Sequence, residues 1–113
     1  FTIEMEVDRV VMDQIKKHSF RQLHIIWGMA KDKDVRDILS LLPPSAFFYF
    51  TQADIPRAMP AEALKREALK FGLAGKAYPS VAAAYKVAKE NTLNDDFIFI
   101  GGSTFIVADL LKL

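Results

Sequence analysis

Three places in this sequence put chemistry-bearing residue types at spacings that suit a ligand. Gly101-Gly102-Ser103 closes a strand-like apolar run and opens a helix. Glycines let a backbone approach a ligand closely, and the first free N–H groups of a helix carry a partial positive charge that suits an anion. Ser103 can donate its hydroxyl to a carboxylate, or it can simply cap the helix behind a tight turn. Lys31-Asp32-Lys33-Asp34 alternates charge after another apolar run. Its two ammonium groups can hold a carboxylate or phosphate, and its aspartates can orient them or hold Mg²⁺ through water. The plainer alternative is a solvated loop with Asp34 as a helix cap. Arg57, in Ile55-Pro56-Arg57-Ala58-Met59-Pro60, follows a second apolar run and can reach an anion at the same edge, or stand as a surface arginine.

Other features point away from particular chemistries. Gly72-Leu73-Ala74-Gly75-Lys76 has two residues between its glycines and Ala77 after the lysine. A phosphate-binding loop needs four there and a Ser or Thr after the lysine, so no nucleotide site is expected on it. His18 and His24 lack metal-ligand partners at helical or hairpin spacing, and a structural or surface role is expected for both. Glu62 and Glu67 fall on the polar side of a helix. Cysteine is absent, which excludes disulfides and thiolate metal sites. The formal charge of +1 gives no electrostatic basis for a nucleic-acid or polybasic membrane partner. No apolar run approaches the roughly 20 residues that cross a bilayer, and the acidic start carries no signal-peptide pattern. A cytoplasmic location is expected.

The elements that would position these residues follow from the switching hydrophobic period. With 113 residues, half of them hydrophobic, the chain suits one domain, 1–113, with a core of its own. Val7, Val10, Val11 and Ile15 predict a helix over 7–17. Leu23-His24-Ile25-Ile26-Trp27 reads as a buried strand ending at Gly28. Val35, Ile38, Leu39 and Leu42 form the apolar face of a helix that Asp34 can cap and Pro43-Pro44 stop. Ala46 to Thr51 is aromatic and β-prone. Pro60 opens a helix with Leu64, Ala68 and Phe71 inward, closed by Gly72. A short extended piece around Lys76-Ala77-Tyr78 precedes a helix from Pro79-Ser80, with Val81, Ala84, Tyr85 and Ala88 inward. Asp96 to Ile100 is the last strand, and a final helix runs to Leu113.

Strands alternating with helices predict an α/β, three-layer Rossmann-like domain, with a mostly parallel sheet of about four strands flanked by helices. Right-handed crossovers favour the order 3-2-1-4. In that order the loops 28–34 and 101–103 are neighbours at a topological switch point, where open parallel sheets collect ligands.

Taken together, three segments resemble the C-terminal domain of folylpolyglutamate and dihydrofolate synthases, within the Mur ligase superfamily. They are Leu23 to Asp34, with its glycine and Asp-Lys-Asp run, Pro56-Arg57-Ala58 with Ala61-Glu62-Ala63-Leu64, and Asp96 to Ser103 before an apolar helix. Order and spacing match over roughly residues 13–113. The aspartate and His-Asn pair that the family places before its first helix have no counterpart in residues 1–6.

The resemblance implies a ligase that activates a folate or dihydropteroate carboxylate with ATP and Mg²⁺ and joins it to glutamate. It implies separate N-terminal and central domains, absent from this chain, with the central one carrying the P-loop and most metal ligands. Within that picture Ser103, Gly102, Lys31 and Lys33 would contact glutamate, and Asp32, Asp34 and Arg57 would face the nucleotide side of the cleft. No residue here is expected to be catalytic, no cofactor is expected on this chain alone, and the chain alone is expected to be inactive. The rival expectation is a stand-alone flavodoxin-like binding or interaction domain without catalysis. A phosphoacceptor domain fits poorly, because the second strand ends in Thr51-Gln52-Ala53 before Asp54.

Overall fold

The structure is a computed structural model and describes residues 2–3, 21–31, 35–102 and 104–112. Its sheet has five strands: β1 (Thr2–Ile3), β2 (Leu23–Trp27), β3 (Phe47–Phe50), β4 (Gly75–Ala77) and β5 (Phe97–Gly101). Among the described residues the helices are α1 (Val35–Leu39), α2 (Ala61–Leu69), α3 (Val81–Asn91) and α4 (Thr104–Leu111). The helix expected over 7–17 and His18 lie outside the described residues.

All strand pairs are parallel, in the order β1-β5-β2-β3-β4. The four expected strands therefore stand in the expected order, and β1 adds a fifth beyond β5. Register is set by the central strand: Trp27 lies beside Phe50 on one side and Gly101 on the other. Both neighbours and both faces of β2 are occupied, so all five of its residues are buried. A strand buried on both faces reads as a continuous apolar run, as β2 and β5 do.

Alternation along the strands divides the core into two layers. Ile25, Trp27, Phe48, Phe50 and Phe99 pack on one face with Leu39, Leu64 and Ala68 from α1 and α2. Ile26, Tyr49, Ile98 and Ile100 pack on the other with Val81, Ala84, Ala88, Ile106 and Leu110 from α3 and α4. The inward alanines of α3 let its backbone lie close to the sheet. Ser80 caps α3, its hydroxyl accepting from the Ala83 N–H at 3.1 Å. At the start of α2, the Gln52 side-chain oxygen accepts from the Ala61 N–H at 2.9 Å, a capping role supplied from the far end of the loop that leads into the helix. The helix expected to reach Leu42 ends at Leu39. Leu41 and Leu42 continue it as i→i+3 turns, to the Ile38 and Leu39 carbonyls, before Pro43.

Glu62 is exposed, while Glu67 is partly covered and takes an ion pair from Lys70 at 3.1 Å. No helix among the described residues is long and apolar enough to cross a membrane.

Candidate functional site

Because every strand runs the same way, Trp27, Phe50, Ala77 and Gly101 bring their carboxyl ends to one rim. The loops leaving β2 and β5 meet there. Gly28 donates its N–H to the Gly101 carbonyl at 3.4 Å, and Thr51 donates to the Trp27 carbonyl at 2.9 Å.

Glycine is required at two of these positions by space. A Cβ on Gly102 would lie 2.3 Å from the Gly28 oxygen and 2.9 Å from Trp27 Cε2, and the residue holds φ at +102°. A Cβ on Gly28 would lie 2.5 Å from Ile106 Cδ1 and 2.8 Å from the Thr51 oxygen. The two turns are thus in van der Waals contact, with the start of α4 immediately behind Gly102.

A second connection adds two cations to the rim. Ala30 and Ala58 form an antiparallel bridge, Lys31 donates its backbone N–H to the Arg57 carbonyl at 2.8 Å, and Met59 donates to the Met29 carbonyl at 2.8 Å. This backbone zipper holds Lys31 and Arg57 next to each other, both exposed. Of the residues singled out from sequence, Gly102, Lys31 and Arg57 therefore stand at one rim. Ser103, Asp32, Lys33 and Asp34 lie outside the described residues. The described Gly102 and Thr104 bracket the first of these, and Lys31 and Val35 bracket the other three.

Two buried polar atoms near this rim have no partner among the described residues, Trp27 Nε1 and Thr51 Oγ1. Leaving such a group unpaired costs about 1–3 kcal/mol, and sequence reading did not reach either atom. Among the described residues no group of three His, Asp or Glu side chains converges as a metal site. The described residues therefore offer cations and backbone N–H groups to an anion and no cage for a divalent ion.

The amino ends of the strands carry a buried network that sequence reading also missed. His24 is fully buried, with Nδ1 2.8 Å from the Tyr49 hydroxyl and Nε2 2.8 Å from Asp96 Oδ2. The Asp96 side chain is shut off from solvent, and the same oxygen takes Arg21 Nη2 at 2.9 Å and the Leu93 N–H at 3.0 Å. Burial pushes the Asp96 carboxyl up, but the hydrogen bonds from Leu93, His24 and Arg21 outweigh it and hold the group at about 2. Burial likewise raises the Tyr49 phenol, against the hydrogen bond from Asn91.

A carboxyl depressed in the fold stabilises the native state above its unfolded value and loses that contribution as pH falls through the folded value. Stability measured by urea midpoint is therefore expected to fall between pH 3.8 and about 2 more steeply in the parent chain than in Asp96→Asn. Identical acid limbs would contradict the assignment.

Comparison with known proteins bears on the family and the fold. The model of the Mur ligase glutamate ligase domain family matches residues 9–104. A probable bifunctional folylpolyglutamate synthase/dihydropteroate synthase of Haloferax volcanii is 31% identical over 96 residues, which are 84% of this chain and 12% of that protein. Escherichia coli FolC in complex with DHPP and ADP matches with a TM-score of 0.83 at 23% identity, over 97% of this chain and 28% of its own. A bifunctional folylpolyglutamate synthase/dihydrofolate synthase with Mn, AMPPNP and L-glutamate bound gives 0.80 at 22% identity, over 92% of this chain and 25% of its own. The structural likenesses establish a shared fold, and the chain spans only 12% of its curated relative and 28% of FolC. On the family match across most of its length, the chain belongs to the glutamate ligase domain family of the Mur ligases.

Proposed function

We propose that this chain is the C-terminal domain of an ATP-dependent ligase that joins glutamate to a folate or dihydropteroate carboxylate. The observation that carries this reading is the contact between the Gly28 and Gly102 turns at the carboxyl rim, with Lys31 and Arg57 alongside. A relative of the same fold holds L-glutamate and an ATP analogue, and the rim has the chemistry to receive an amino acid's carboxylate.

In the reaction, ATP phosphorylates the substrate carboxylate to an acyl phosphate. The glutamate amine attacks the acyl carbon, the C–N bond forms, phosphate leaves and the amine gives up a proton. On this reading ATP and Mg²⁺ are held mainly by a separate central domain. The present residues position rather than react: Ser103 and the Gly102 backbone hold the glutamate carboxylate, Lys31 and Lys33 neutralise it, and Asp32, Asp34 and Arg57 face the nucleotide as the domain closes. Holding reactants in register can supply about 7–11 kcal/mol of a barrier in the best cases, so a domain without a proton-transfer group can still govern the rate.

Steady-state ligation by a longer protein containing this chain and its ATP-binding domain tests the assignment. Ser103→Ala removes one hydrogen bond to a charged group, worth roughly 1.5–3 kcal/mol. It is expected to raise KM for glutamate at least about tenfold while leaving KM for ATP within about twofold. Residues 1–113 alone should give no ATP-dependent ligation. An unchanged KM for glutamate, or turnover by the chain alone, would sink the reading.

A further inference from the structure

A cleft of about 400 Å³ opens between α3 and the edge strand β4, on the side of the sheet that carries Tyr49. Small-ligand pockets begin near this size, at about 300 Å³. Its lining runs from Phe47 at the start of β3 to Tyr78 just past the end of β4, and none of it belongs to the Gly28 or Gly102 turns.

Its walls differ in chemistry. Phe47, Tyr78 and Val87 supply apolar and aromatic surface, and Phe47 is 52% exposed, a large ring left uncovered on a strand. Lys76 lies in register beside Tyr49 on the same face of a parallel pair, and it makes no ion pair among the described residues. Asn91 stands at the end of α3 with its amide nitrogen 3.4 Å from the Tyr49 hydroxyl, a long and weak contact that leaves the amide able to donate elsewhere.

The floor is held from behind. Tyr49 is 4% exposed, and His24 joins its hydroxyl to Asp96. The phenol is thereby fixed in one orientation, as a pre-organised wall.

We infer that this cleft is a second ligand site, for a small aromatic carboxylate whose ring packs on Phe47 and Tyr78 and whose carboxylate meets Lys76 and the Asn91 amide. The inference does not rest on the ligase reading, because it uses different residues, none of them in the Gly28 or Gly102 turns.

Titration of the ¹⁵N-labelled chain with sodium benzoate, at constant ionic strength and followed by ¹H–¹⁵N correlation spectra, tests it. Saturable shifts are expected at the amides of Lys76, Tyr78, Val87 and Asn91, with a Kd of about a millimolar for so small a ligand. Acetate, which lacks the ring, and benzyl alcohol, which lacks the charge, should each bind at least about fivefold more weakly. Lys76→Met should weaken benzoate about fivefold, the upper range for one partly exposed ion pair, and leave benzyl alcohol unchanged. Lys76→Gln provides a second charge removal should the first disturb the parent spectrum. Shifts that fail to saturate, that cluster at the Gly28 and Gly102 turns, or that acetate reproduces at equal strength would overturn the proposal. So would undiminished benzoate affinity in both lysine variants.

Discussion

Replacing Gly102 with alanine is expected to lower the unfolding free energy of the chain by about 3 kcal/mol, the upper range for a side chain forced into a sparsely allowed backbone conformation. Two effects act together. The residue holds φ at +102°, where L-residues are strained, and the added carbon would meet the Gly28 carbonyl at 2.3 Å. A flexible side chain could swing away from such a contact. A backbone carbonyl cannot, since the Gly28 N–H is bonded to the Gly101 carbonyl, and Trp27 at 2.9 Å closes the remaining direction. Urea denaturation followed by far-ultraviolet circular dichroism reads the change, and a midpoint equal to that of the parent would contradict it. In a longer, active protein the same variant should lose ligation, because separating the two turns dismantles the rim.

His24→Ala is expected to be comparably damaging, at about 3 kcal/mol, for a different reason. The imidazole is fully buried, stacks 5.8 Å from the Tyr49 ring and sits edge-on 5.4 Å from Phe47. Its removal leaves a void and takes away the 2.8 Å partner of the Tyr49 hydroxyl, for which Asn91 at 3.4 Å is a poor replacement. Tyr49→Phe removes the hydroxyl itself. If the hydrogen bond is the coupling, the double variant should be about 1 kcal/mol more stable than the sum of the single losses. Strict additivity in a urea-based cycle would show that the imidazole acts by volume alone.

The parts of the fold that could be read in advance are those where one physical signal dominates. Phe97–Gly101 is apolar throughout and Leu23–Trp27 is apolar apart from His24, because both faces of those strands are covered, and their order follows from right-handed crossovers. The contact between the Gly28 and Gly102 turns then needed no further information. β1 was harder, since a two-residue edge strand carries little pattern, although Phe1, Ile3, Met5 and Val7 do alternate with polar residues in the sequence.

The zipper between Ala30 and Ala58 left no trace, because backbone pairing of two irregular loops is independent of side-chain type. The network at the other end joins positions 24, 49 and 96, and nothing in a single sequence links residues so far apart. Its one legible clue was a histidine inside an otherwise apolar buried run, which requires a polar partner somewhere in the fold.

The central claim is that the rim built by Gly28, Lys31 and Gly102 receives glutamate. A crystal structure of a longer protein that contains this chain, determined with L-glutamate and a non-hydrolysable ATP analogue, measures this directly. The predicted result places a glutamate carboxylate within about 3.2 Å of Ser103 or of the backbone N–H groups that open α4, the ordinary reach of such a bond. Glutamate bound with no atom near residues 28–34 or 101–103 would contradict it.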